Sequence, residues 1–165
     1  MIEKTYPITE QLILNALQLA KLLHHELKQE SDVLKKTPQA DLISTIAANK
    51  KQLVVQLEQF NTQLAQVLAT EKLPNDQTGI REYLKRAETA GLLTANSIDN
   101  CWTQLMLVCA ECKSLNEHNG AGIDILFRHT KRSLDILKGK PESTNTYGSD
   151  GSTQSARYSH SLISV

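Results

Sequence analysis

The residues able to carry chemistry sit mostly in one stretch of the chain. Cys101, Cys109 and Cys112 lie close together, and Cys109-Ala110-Glu111-Cys112 has the C-x-x-C form. A redox pair of that form sits where a strand turns into the start of a helix, and no strand pattern precedes this one. A zinc site built on such cysteines wants a second ligand cluster, and none is present. The three cysteines therefore read as small buried apolar residues. His24 and His25 are neighbours in sequence, so on a helix they point to different faces and cannot chelate one metal together. They read as solvated or rim histidines. Gly120-Ala121-Gly122 lacks the third glycine of a dinucleotide loop, since position 125 is Ile125, and it lies inside a helical pattern. A di-metal helical enzyme needs Glu-x-x-His pairs on facing helices, and the sequence has none. No Ser, His and acid arrangement stands out. The expectation is a protein that is not an enzyme, with no catalytic residue, cofactor or metal.

The element that positions these residues is the stretch from Asn96 to Lys138. Trp102, Leu105, Cys109, Cys112, Ile123, Leu126, Thr130 and Leu137 recur three and four apart, with Asn116, Asn119 and Ser133 at the remaining seam positions. Such spacing predicts one long helix with a coiled-coil seam. At that length it extends roughly 60 Å, too far for the middle of a compact globule. It must span a long bundle or offer part of its length to a partner. Its middle breaks local rules, because Gly120 and Gly122 each cost about 1 kcal/mol relative to Ala and the two Asn surrender apolar burial. Two readings stay open there: a tolerated kink or close helix crossing, or a hinge or docking notch where another backbone approaches the glycines.

Two earlier helices form a hairpin. Tyr6-Pro7-Ile8-Thr9 is expected to open the first, with Pro7 in the first turn and Thr9 as a cap. Its stripe is Leu12, Ala16, Leu19, Leu23 and Leu27, widened by Ile13, Leu17 and Ala20, and it ends near Lys35-Lys36 before Thr37-Pro38. The second runs from about Ala40 to Thr70 on Leu42, Ile46, Asn49, Leu53, Leu57, Phe60, Leu64 and Val67. The short connection makes the pair antiparallel. Lys50 and Lys51 are read as solvated. After Leu73-Pro74-Asn75-Asp76, a short helix from Thr78 to Ala90 buries Ile80, Tyr83, Leu84 and Ala87, pairs Glu82 with Arg86, and stops at Gly91. Asn96 or Ser97 then caps the long helix.

The expected fold is all-α: an elongated antiparallel bundle or coiled coil of three long helices and one short one, spanning residues 1–138. Residues 139–165, rich in Ser, Thr and Gly, form a separate tail too poor in apolar residues to order itself unbound. Tyr147-Gly148-Ser149-Asp150-Gly151 is its turn-forming island, with Tyr147 as the anchor candidate. Hydrophobic residues make up 40% of the chain but aromatics only 4%, which suits helix-on-helix packing. Eighteen basic and 18 acidic residues balance, unlike the basic footprint of a nucleic-acid binder. No apolar run is long enough to span a bilayer, and Met1-Ile2-Glu3-Lys4 does not open a signal peptide, so a cytoplasmic protein is the default.

Leu115-Asn116-Glu117-His118-Asn119-Gly120, followed by Leu134-Asp135-Ile136-Leu137 and Tyr147-Gly148-Ser149-Asp150-Gly151, resembles the FlgN family of flagellar type III export chaperones. The closing Leu162-Ile163-Ser164-Val165 fits that family's apolar chain end, while Gly122 stands where a bulkier residue is expected. The resemblance implies a cytosolic chaperone that holds the hook-associated proteins FlgK and FlgL, prevents their premature assembly and delivers them to the export gate, where FlhA is the docking subunit. On that reading the partner-binding residues are Asn116, Asn119, Gly120, Ile123, Leu126, Phe127, Thr130, Leu134 and Leu137 on the long helix, with Tyr147 in the tail. The alternative is a structural coiled-coil protein whose seams close on themselves as a homo-oligomer, which predicts the same helices.

Overall fold

In the computed structural model, residues 1–92 and 98–137 are described. They form α1 (Ile2–Lys35), α2 (Ala40–Thr70), α3 (Gln77–Thr89) and α4 (Ile98–Leu137), with no strand among the described residues. The architecture is the expected one, three long helices and one short. By its contacts the chain divides into Met1–Asn119 and Gly120–Val165. The expected cap at Asn96 or Ser97, and the tail from residue 139 with Tyr147, lie outside the described residues.

The first unit is built on the α1–α2 hairpin. Ile13, Ala16, Leu17, Ala20, Leu23 and Leu27 of α1 are buried against Leu57, Phe60, Leu64, Val67 and Leu68 of α2. Leu12 and Leu19 are only partly buried, so the deepest line runs one position later than Leu12 and Leu19. Full burial of each such side chain contributes roughly 1.5–3 kcal/mol. The two helices are antiparallel: Thr5 bonds Glu71 at one end, while Lys50 reaches Glu30 towards the other.

The start of α1 differs from expectation. The helix begins at Ile2, Pro7 lies inside it, and the Thr9 hydroxyl bonds the Thr5 carbonyl at 2.9 Å rather than capping an end. Tertiary packing overrides the proline. Thr5, Tyr6 and Thr9 are buried, and the two threonine hydroxyls find partners, while among the described residues the Tyr6 hydroxyl has none. Tyr83 donates to Thr5 Oγ1 at 3.1 Å, Thr5 donates to Glu71 Oε1 at 2.8 Å, and Thr9 Oγ1 lies 3.0 Å from the Tyr83 hydroxyl. This network ties α3 onto the open end of the hairpin.

Both ends of α2 and α3 near that network close in the same way. Leu73 N bonds Leu68 O and Lys72 N bonds Ala69 O, while Leu92 N bonds Ala87 O and Gly91 N bonds Glu88 O. These are paired six-to-one and five-to-two closures, which need a left-handed residue after the cap. Gly91 supplies it at φ +69° and Lys72 at φ +56°. Asp76 caps α3, accepting from Gly79 N at 2.9 Å and from Thr78 Oγ1 at 2.6 Å. The Thr78 hydroxyl, then the Gly79 amide, hold the Asp76 carboxyl below its usual range. Arg86 pairs with Glu82 at 3.1 Å as the spacing predicts.

Candidate partner-binding surface

Within the first unit α4 is anchored by a residue every seventh position. Ile98, Leu105, Cys112 and Asn119 are buried, and Cys101, Trp102, Met106, Val108, Cys109 and Leu115 are partly so. Cys112 Sγ lies 3.6 Å from Ala20 O, and Asn119 Nδ2 donates to Leu27 O at 2.8 Å. Both bonds span 92 residues of chain, so this part of α4 runs parallel to α1 in a heptad register. His24 Nε2 and Glu111 Oε2 meet at 3.0 Å on the rim of the same contact.

The cysteines behave as packing residues. All three are free thiols. Burial raises the Cys109 pKa and, with Cys109 and Glu111 adding, pushes Cys112 up to about 12. A thiol so held stays protonated and unreactive near neutral pH. Among the described residues no group of three or more His, Cys, Asp or Glu is placed to hold a metal.

Asn119 is one of the residues expected to meet a partner, and in the free chain it is turned inward. It is 1% exposed, and its amide is used inside the chain. Besides Leu27 O, its Nδ2 lies 3.0 Å from Glu30 Oε2. Glu30 is itself 1% exposed, and Lys50 Nζ reaches both of its oxygens, at 2.8 and 2.7 Å. The expectation that Lys50 is merely solvated is therefore overturned. A dehydrated carboxylate must collect donors, and here they come from α2 and α4. One atom of this cluster is left over, since Asn119 Oδ1 is buried with no hydrogen-bond partner among the described residues.

The described part of the second unit, residues 120–137, is an exposed helix with no fully buried residue. Ile123 and Leu126 are half-buried, and Phe127, Leu134 and Leu137 are 68%, 47% and 82% exposed. Thr130 and Gly120 are exposed, as is Asn116 in the preceding unit. At 100° per residue, Ile123, Leu126, Phe127, Thr130, Leu134 and Leu137 share one side of the helix. It is the side on which Leu105, Cys112 and Asn119 are buried earlier along α4. Ile125 and Ile136, 53% and 59% exposed, fall on the opposite side and were not anticipated, because they stand outside the seam spacing. Among the described residues, no atom outside its own helical turn lies within 4 Å of where a Cβ on Gly120 would stand.

The model of the FlgN protein family matches residues 6–155, which is most of the chain and takes in α1 from Tyr6 and all of α2, α3 and α4. The chain belongs to the FlgN family. No curated protein and no solved structure matches it. In general terms FlgN membership makes this a flagellar export chaperone, from a family that is not enzymatic. No described helix is long and apolar enough to cross a membrane.

Proposed function

We propose that this FlgN-family chaperone receives the terminal helices of FlgK and FlgL on the open stripe Ile123, Leu126, Phe127, Thr130, Leu134 and Leu137. It holds them in the cytoplasm against premature assembly and delivers them to the export gate, with FlhA as the docking subunit and Tyr147 as a gate contact. The observation that supports the reading is the change of exposure along one helix face. Leu105 and Cys112 are buried, whereas Phe127, Leu134 and Leu137 on the same side are open. Large contiguous apolar surface on a lone protein marks an interaction site. A heptad stripe accepts an amphipathic helix that places its own apolar face along it. A segment that folds as it binds gives up ordering entropy, which limits affinity and favours release at the gate.

The test is co-purification of the Leu126→Asp/Leu134→Asp variant with FlgK and FlgL. Substrate capture should be lost while helix content by circular dichroism is kept. Capture retained at wild-type level overturns the assignment. Light scattering on the purified chain separates the homo-oligomer alternative: a dimer that the double variant converts to monomer, with capture unchanged, places the seam between two copies instead.

A further inference from the structure

We infer that Glu30, Lys50 and Asn119 form a polar latch that holds the packed part of α4 closed on α1, and so sets how much of the α4 seam is open to a partner. This rests on the proposed substrate reading only for its consequence; the latch itself is an internal property of residues 1–119.

Few other fully buried residues hold α4. Its buried apolar residues before the latch are Ile98, Leu105 and Cys112, one per heptad, while Leu107 is 62% exposed and Glu111, Ser114, Asn116, Glu117 and His118 face solvent. One fully buried residue per heptad, flanked by partly buried Trp102, Met106 and Cys109, is a thinner contact than the α1–α2 seam and correspondingly easier to open. Cys112, the last apolar residue of that stripe, is small. The next seam position is Asn119, and there apolar burial gives way to hydrogen bonds from Nδ2 to Leu27 O and to Glu30 Oε2, at 2.8 and 3.0 Å. Glu30 is fixed from the other side by Lys50, at 2.7 Å. One buried carboxylate thus joins three helices, and its directional bonds select a single arrangement where apolar packing alone is permissive. Asn119 Oδ1 is buried with no hydrogen-bond partner among the described residues, so the closed arrangement leaves one polar atom unsatisfied. Opening would release Cys112, Leu115 and Asn119 from α1 and add two turns to the partner seam.

The native Cys112 thiol reports on this directly. In the closed state it lies against Ala20 O, and burial suppresses its thiolate. Alkylation of Cys112 by iodoacetamide in the full chain, mapped by mass spectrometry and referenced to the partly exposed Cys101, reads the opening. Loss of a charge-assisted hydrogen bond in Asn119→Ala should speed Cys112 modification about tenfold or more relative to Cys101. Lys50→Met, which acts on the latch from α2, should do the same although it touches neither α4 nor the thiol. Unchanged relative rates in either variant overturn the latch. Loss of helix content in both overturns it as well, since the junction is then a determinant of the whole fold. No partner is present in the assay, so its outcome is independent of whether FlgK or FlgL binds the seam.

Discussion

Gly79 and Gly120 both stand in helices, and alanine at each should shift stability in opposite directions. At Gly120 the added methyl meets no atom of the described residues within 4 Å beyond its own helical turn. Only the intrinsic propensity remains, so Gly120→Ala should gain about 1 kcal/mol. At Gly79 the same methyl would overlap the Pro74 carbonyl oxygen and stand 2.9 Å from the Pro74 carbonyl carbon and 3.3 Å from its Cγ. Those atoms cannot swing aside as a long side chain would. Pro74 follows the Leu73–Leu68 backbone closure and precedes the Asp76 cap, whose bond to Gly79 N pulls the same two segments together. Overpacking of this kind costs roughly 1–3 kcal/mol, and the helix-propensity gain offsets less than 1 kcal/mol of it. Gly79→Ala should therefore lose about 1–2 kcal/mol net, a melting-temperature drop of several degrees for a chain of this size. Urea denaturation of both variants, followed by far-ultraviolet circular dichroism, measures the two signs. Gly79→Ala as stable as the parent would refute the packing of the Pro74 turn on α3. Gly120→Ala less stable than the parent would mean that something does approach Gly120. Substrate capture by the same Gly120→Ala protein then decides its role. Raised stability with weakened capture keeps the docking notch, and raised stability with unchanged capture removes it.

Lys50→Met leaves the buried Glu30 carboxylate with the Asn119 amide as its remaining donor, and breaking a buried pair costs about 3–5 kcal/mol. Since the Lys50 side chain keeps 17% exposure, a loss near about 2–3 kcal/mol is expected in urea unfolding, largely recovered in Lys50→Met/Glu30→Leu. A loss under about 0.5 kcal/mol would contradict the account, being no more than an ordinary surface substitution. Lys72→Gly relieves a left-handed residue at φ +56° and should gain about 0.5–1 kcal/mol after the entropic cost of glycine; a loss would show that Lys72 makes a needed side-chain contact. Tyr147→Ala should leave melting and FlgK/FlgL capture unchanged but weaken binding of the chaperone–substrate complex to the FlhA cytoplasmic domain, measured by calorimetry. Undiminished binding removes Tyr147 from the surface.

The helices were legible because heptad spacing repeats over enough turns to dominate every local signal. Leu57, Phe60, Leu64 and Val67 are buried as their spacing requires, and α2 runs over Ala40–Thr70 as read from sequence. Gly91 was legible as a stop because a left-handed residue after the cap is what glycine supplies without strain. The start of α1 was not, since Pro7 normally marks a first turn and only the distant Tyr83 and Glu71 reveal why Thr5 is helical and buried. Lys50 and Glu30 were hidden for a related reason. Twenty residues separate them, and each alone resembles a solvated helix charge. Asn119 was correctly placed on the seam, but periodicity identifies a face and is silent about what covers it. Its neighbour in space is Leu27, 92 residues away.

That silence bears on how one helix can serve two purposes. An isolated helix of some eighteen residues carrying two glycines is marginal in water, because nucleation is costly and each glycine weakens propagation. Residues 120–137 are not isolated: they continue without a break from a segment whose hydrogen bonds to α1 are already formed. The first turn beyond Asn119 therefore needs no new nucleus, and the open stripe inherits its helical state from the packed one. Gly120 and Gly122 fall immediately after that anchor, where propagation is best supported and their weakening effect is most easily tolerated. The Asn119 anchor makes an exposed apolar helix compatible with a stable free protein, and the same atoms decide where it begins. On the proposed reading, the stripe is then presented to a partner without a separate folding step.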